Sequence, residues 1–86
     1  MTASVTMYTT PWCPYCIRAR SLFDQIGVEY SDIDVSADAN LRADMQQRSG
    51  RHTVPQIWIG EAHVGGFDDV YALARQGELE LLLNRA

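Results

Sequence analysis

The chain contains no lysine, so all seven of its Lys-or-Arg positions are arginines, and its formal net charge is −4. Proteins that bind nucleic acid neutralise phosphate groups with a basic face. An acidic chain without lysine is poorly suited to that task. The composition therefore excludes nucleic acid as the expected partner.

Long hydrophobic runs are also missing. The longest apolar stretches, such as residues 81–83, fall far below the roughly 18 residues that a transmembrane helix needs. The N-terminal residues show no basic segment followed by an apolar stretch, so they do not resemble a signal peptide. We therefore expect a cytoplasmic protein with no membrane partner, folded as one domain over residues 1–86.

Cysteine is scarce, and its placement is informative. The chain has two cysteines, Cys13 and Cys16, in the sequence Cys13-Pro14-Tyr15-Cys16 between a strand-like and a helix-like segment. Two thiols at this spacing can close a small disulfide and reopen it. In the reducing cytoplasm a C-x-x-C pair is more often catalytic or metal-binding than structural.

The apolar pattern predicts the element order β-α-β-α-β-β-α, followed by a short last helix. The predicted strands cover residues 5–8, 30–35, 56–59 and 62–64. The last two should form an antiparallel hairpin because their loop is too short for a crossover, whereas the first βαβ unit should be parallel. We expect an α/β protein with a thioredoxin-like fold, in which helices flank a mixed four-stranded sheet.

The same pattern predicts a core and two helix starts. Ser36 or Asp38 is expected to cap the second helix, and Asp68 or Asp69 to open the third. The predicted core residues are Leu22, Phe23, Ile26, Ile57, Ile59 and Val70.

The position of the two cysteines on a helix start predicts different roles for them. The helix dipole and the N-terminal N–H groups favour a thiolate at Cys13, and the thiolate is the reactive form. Cys16, one turn further, should be more buried and keep its proton. Cys13 is then the nucleophile, and Cys16 resolves a mixed disulfide by attacking the Cys13 sulfur. The alternatives are an inert disulfide or a zinc site completed by His52 and His63.

Three motifs, in this order and at these spacings, together resemble those of a dithiol glutaredoxin. They are Cys13-Pro14-Tyr15-Cys16, Thr53-Val54-Pro55 and Gly65-Gly66-Phe67-Asp68-Asp69. The resemblance extends from Val5 to Leu83. It implies a glutathione-dependent thiol–disulfide oxidoreductase that acts on protein disulfides and on glutathionylated proteins. It also implies glutathione as a cosubstrate, no tightly bound cofactor or metal, and a monomer.

The resemblance further implies a glutathione-binding surface. It includes a cis Val54–Pro55 bond facing the cysteines, and a glycine turn whose helix N–H groups bind the γ-glutamyl carboxylate. Arg42, with Arg51 as its competitor, is the candidate for the glycine carboxylate. The full set of implied glutathione contacts is Tyr15, Arg42, Thr53, Val54, Pro55, Gly66, Phe67, Asp68 and Asp69.

The chain departs from the glutaredoxin pattern at two places. Thr9 and Thr10 occupy a stretch where many glutaredoxins carry a lysine, so the Cys13 thiolate depends more on the helix dipole and on local hydrogen-bond donors. Phe67 stands where several glutaredoxins have a third cysteine, which leaves Cys13 and Cys16 as the one redox couple.

Two other interpretations of the motifs remain open. One is a thioredoxin-like reductant that a flavoprotein reductase recharges, which the paired Asp68 and Asp69 argue against. The other is an iron–sulfur carrier, in which Cys13 of two protomers and two glutathiones hold a [2Fe–2S] cluster. Pro14 stiffens the active-site loop and works against that second use.

Overall fold

A computed structural model of the chain describes residues 3–84. The order of its strands and helices is the one that the apolar pattern predicts. Along the described chain they are β1 (Val5–Thr9), α1 (Pro14–Gln25), β2 (Tyr30–Asp34), α2 (Ala39–Ser49), β3 (Gln56–Ile59), β4 (Ala62–Gly65), α3 (Phe67–Arg75) and α4 (Leu79–Leu83).

The four strands form one mixed sheet in the order β2-β1-β3-β4. β1 pairs in parallel with β2 and antiparallel with β3, and β3 forms an antiparallel hairpin with β4. This confirms the thioredoxin-like α/β fold with its parallel first unit and its hairpin. Because Tyr8 near the end of β1 pairs with Gln56 at the start of β3, the segments after β1 and before β3 meet at one end of the sheet.

Alternating side chains of the central strands supply a core on each face of the sheet. On one face Ile57 packs in a cluster with Phe23 of α1 and Val70 of α3. On the other face Trp58 packs in a cluster with Met45 of α2. The sheet is therefore covered by helices on both faces, as expected.

One core prediction was wrong. Ile26 is 39% exposed, whereas Phe23 on the same helix is fully buried. The helix ends at Gln25, and Gly27 then adopts a positive φ of 74°. Ile26 therefore leaves the helical spacing that would have placed it on the buried stripe. The other predicted core residues are buried or pack against the buried cluster.

The structure also decides how α2 and α3 begin. The Asp38 carboxylate accepts hydrogen bonds from the backbone N–H groups of Asn40 and Leu41, at 2.9 and 3.2 Å, so Asp38 caps α2. Helix α3 begins at Phe67 with Gly66 as its N-cap. The prediction that Asp68 or Asp69 caps α3 was therefore wrong, since both lie inside its first turn.

None of the helices within residues 3–84 combines the length and the apolar character needed to cross a bilayer.

The cap of α2 gives a stability test. Replacing Asp38 with Ala removes the acceptor for two N–H groups and should lower the free energy of unfolding by about 1 kcal/mol. Ser36→Ala, two residues earlier, is the matched control and should change it by less than about 0.5 kcal/mol. Urea unfolding of both variants measures the difference, and equal losses would contradict the assignment of Asp38 as the cap.

Candidate active site

The loop after β1 places Cys13 at the start of α1. Cys13 is the N-cap residue, with φ −74° and ψ 122°, and Pro14 occupies the first helical position, where its missing N–H costs nothing. The Cys13 thiol is partly exposed, whereas Cys16 is fully buried. Both are free thiols, and the two cysteines lie 3.6 Å apart. The pair is therefore close enough to form a disulfide after a small movement.

Cys16 keeps its proton over a wide pH range. Burial is the main reason that the pKa of its thiol is raised to about 11, and the neighbouring Cys13 adds to the rise. A backbone hydrogen bond at Thr10 and the positive charge of Arg20 act in the opposite direction. The burial of Cys16 and its raised pKa agree with the expectation from its position one turn into the helix.

The segment before β3 lies against Cys13. The Val54–Pro55 peptide bond is cis, as the resemblance implies. The Cys13 thiol donates a hydrogen bond to the carbonyl oxygen of Val54, with 3.8 Å between sulfur and oxygen. The antiparallel pairing of β1 with β3 causes this contact because it brings the ends of the two loops together.

A groove of about 290 Å³ opens in this region. Its lining residues come from the helix α1 start, the loop before β3 and the start of α3. They are Tyr15, Arg51, Thr53, Val54, Pro55, Gly66, Phe67, Asp68 and Asp69.

Eight of the nine predicted glutathione contacts line this groove, and Arg42 is the exception. The Arg42 guanidinium instead donates to the carbonyl oxygen of His52 at 3.3 Å. Arg51, the other candidate, contributes to the lining. The loop that leads into β3 carries Arg51 toward the groove, whereas Arg42 sits in the first turns of α2.

Asp69 organises the start of α3. Its carboxylate accepts hydrogen bonds from the backbone N–H of Gly66 at 2.9 Å and from Arg51 Nη1 at 3.1 Å. The Gly66 hydrogen bond is the main reason that the pKa of Asp69 is lowered, and Arg51 contributes. Gly65 has a φ of 127°, and a Cβ there would collide with the Asp69 carboxylate. The glycine at this position is therefore required by the close approach of Asp69.

A group that the sequence analysis missed lies on the Cys16 side of α1. Arg20 Nη2 donates to Thr9 Oγ1 at 2.9 Å and to the Thr10 carbonyl oxygen at 3.2 Å, while Nε donates to Asp32 at 2.6 Å. The stretch Thr9–Thr10, which lacks the lysine of many glutaredoxins, thus contacts a cation supplied by α1. The sequence signal that could have identified this group is the spacing of four residues between Cys16 and Arg20, which places both on one face of the helix.

The two histidines do not complete a metal site with the cysteines. Within residues 3–84 no three His, Cys, Asp or Glu side chains are grouped so that they could hold a metal ion. His63 Nε2 is instead hydrogen-bonded to Gln56 Oε1 at 2.8 Å, and its ring lies 4.8 Å from that of Trp58. The zinc interpretation is therefore not supported by the donor arrangement.

A C-x-x-C dithiol at a helix start, beside a cis-proline loop on a mixed four-stranded sheet, defines a dithiol protein of the thioredoxin-like fold. Residues 5–64 match the family described as Glutaredoxin. The chain belongs to the glutaredoxin family, and its relatives support an oxidoreductase.

Individual relatives agree with this assignment over nearly the whole chain. A glutaredoxin of Pseudomonas aeruginosa is 52% identical over 93% of this chain and 95% of its own length. The solution structure of a glutaredoxin from Brucella melitensis has 55% identity and a TM-score of 0.84, covering 95% of this chain and 89% of that one. A crystal structure of a buckwheat glutaredoxin–glutathione complex has 33% identity and a TM-score of 0.86, covering 94% and 76%.

The different environments of the two thiols predict selective alkylation. At near-neutral pH, iodoacetamide should modify Cys13 alone, because Cys16 is buried and its pKa of about 11 keeps it in the unreactive thiol form. A thiol with a raised pKa loses its proton only as the pH approaches that value. Modification of Cys16 should therefore accelerate toward pH 11. Peptide mapping by mass spectrometry reads out both sites. Equal modification at neutral pH would contradict the assigned environments.

Proposed function

We propose that this protein is a glutathione-dependent thiol–disulfide oxidoreductase that reduces protein disulfides and glutathione mixed disulfides. The observation that carries the proposal is a partly exposed thiol, Cys13, held at a helix start beside a groove with groups of both charges. The solved glutathione complex of the buckwheat glutaredoxin supports glutathione as the cosubstrate. Disulfide-containing or glutathionylated proteins are the proposed partners of a monomer in the cytoplasm.

The burial of the two cysteines supports their separate roles. In the first step the Cys13 thiolate attacks one sulfur of the substrate disulfide, that S–S bond breaks, and the other sulfur leaves as a thiolate. In the one-cysteine cycle the substrate is glutathionylated, Cys13 takes the glutathionyl group, and a second glutathione removes it as glutathione disulfide. In the two-cysteine cycle Cys16 attacks the Cys13 sulfur and the substrate sulfur leaves as a thiolate; two glutathiones then reduce the Cys13–Cys16 disulfide and leave as glutathione disulfide.

The groove has matching groups for the three parts of glutathione. The start of α3 offers backbone N–H groups to the γ-glutamyl carboxylate, and the exposed Asp68 offers a charge to its ammonium group. The backbone of Val54 lies next to Cys13, where the cysteinyl part of glutathione must bind, and Tyr15 flanks the sulfur. Arg51, which contributes to the groove lining and pairs with Asp69, is then the group proposed for the glycine carboxylate.

The proposed function is tested by turnover of a glutathionylated peptide with glutathione as reductant. Cys13→Ser should abolish turnover because the attacking thiolate is gone. Cys16→Ser should retain turnover, since the one-cysteine cycle does not use Cys16. Wild-type protein that fails to turn over with glutathione but accepts electrons from a flavoprotein reductase would replace this proposal with the thioredoxin-like alternative.

The groove lining predicts which arginine binds glutathione. Arg51→Gln should raise the KM for glutathione by about three- to tenfold, because a charge-assisted hydrogen bond to the glycine carboxylate is lost at a partly exposed site. Arg42→Gln removes the same charge from a side chain outside the lining and should have a smaller effect. Steady-state kinetics at varied glutathione measures both. A larger KM change for Arg42→Gln would restore Arg42 as the binding residue.

A further inference from the structure

Arg20 occupies a position behind the buried cysteine rather than in the glutathione groove. It follows Cys16 by four residues on α1, so the two side chains project from the same face of the helix. Its side chain is only 23% exposed. The lining of the glutathione groove does not include it. The position of Arg20 therefore favours an effect on Cys16 and on Thr9 and Thr10, which the guanidinium contacts.

The guanidinium is fixed by three contacts at the end of the sheet. It donates to the Thr9 hydroxyl and the Thr10 carbonyl, and it forms a 2.6 Å ion pair with Asp32. Thr9 also donates a hydrogen bond to Asp32. The planar fork of arginine reaches these three groups from one fixed position with its five donors, whereas a lysine ammonium is a point charge on a flexible stem.

Thr10 connects this cation to the cysteine. The Thr10 carbonyl accepts from Arg20, and the Thr10 backbone also hydrogen-bonds the Cys16 thiol. Burial is the largest influence on Cys16 and raises its pKa, while the Thr10 hydrogen bond and the Arg20 charge lower it. Arg20 is thus a cation that favours the charged form of Cys16, and its hydrogen bond to the Thr10 carbonyl holds the residue whose backbone hydrogen-bonds the sulfur.

Two steps of the two-cysteine cycle pass through a Cys16 thiolate. In resolution, the Cys16 thiolate attacks the Cys13 sulfur of a mixed disulfide, and the substrate sulfur leaves with the electron pair and takes a proton from water. In reduction, a glutathione thiolate attacks the Cys13 sulfur, the Cys13–Cys16 bond breaks, and Cys16 leaves as a thiolate. Stabilising that charge inside the protein raises the fraction of Cys16 present as the attacking thiolate in resolution and makes Cys16 a better leaving group in reduction. The one-cysteine cycle contains neither step.

We propose that Arg20, held by Thr9, Thr10 and Asp32, is a positioning residue that stabilises the Cys16 thiolate and so sustains the two-cysteine cycle. The proposal rests on the proposed function of the dithiol. It assigns the balance between protein-disulfide reduction and deglutathionylation to a residue that lies outside the C-x-x-C motif and outside the glutathione groove.

The test compares Arg20→Gln in two backgrounds. In protein with both cysteines, oxidised to the Cys13–Cys16 disulfide, Arg20→Gln should slow reduction by excess glutathione by about three- to tenfold, the size expected for losing one partly screened charge. Rapid mixing followed by acid quench and alkylation measures this rate. Arg20→Lys should recover part of it. Arg75→Gln, which removes one charge at the far end of α3, should leave the rate unchanged.

The second background separates electrostatics from a general structural effect. In Cys16→Ser protein, turnover of a glutathionylated peptide proceeds without Cys16, so adding Arg20→Gln should change it by less than about twofold. Equal losses in both backgrounds, including losses caused by unfolding, would overturn the proposal. An unchanged rate of disulfide reduction in the two-cysteine protein would also overturn it. Failure of the wild type to turn over with glutathione would instead overturn the proposed function.

Discussion

The antiparallel pairing of β1 with β3 is the constraint on which the rest of the site depends. β1 ends in the loop that carries Cys13, and β3 begins just after the cis Val54–Pro55 bond. Pairing these strands at the centre of the sheet brings two loops that are distant in sequence to one end. The thiol of Cys13 then meets the Val54 carbonyl, and the groove forms beside it. A slip of register between β1 and β3 would separate nucleophile from groove.

Cys13 and Cys16 are chemically identical side chains, but they differ in burial across one turn of α1, and this difference separates their roles. Cys13 sits at the N-cap, where the thiol is accessible and the helix dipole favours negative charge. Cys16 lies in the interior, where desolvation raises its pKa to about 11. The same low-dielectric environment that keeps Cys16 protonated strengthens its interaction with nearby charges and dipoles. An electrostatic interaction that would be weak at the surface, such as that of a partly buried arginine with the Cys16 sulfur, is therefore stronger there.

The local pattern of the chain predicted the elements well because each obeys short-range rules. Residues such as Gly27, Gly50 and Gly60 mark turns with positive φ, and the short loop between β3 and β4 requires a hairpin. Ile26 was misassigned because helical spacing continues past the point where the helix ends. The cap of α3 was misassigned because Asp69 does not occupy the cap position. It stands at the third helical position and accepts a hydrogen bond from the N–H of Gly66, which is the N-cap residue. Spacing alone does not distinguish these two uses of an aspartate.

The sequence by itself determined the dithiol, its place at a helix start, the element order and the family resemblance, since all of these depend on residues close together in the chain. Only the tertiary structure decided which arginine lines the groove, because Arg42 and Arg51 are placed by the packing of α2 and by the path of the loop into β3. It also decided that Arg20 reaches Thr9, Thr10 and Asp32. That contact joins a helix, a loop and a neighbouring strand, and no single stretch of sequence specifies where three such elements meet.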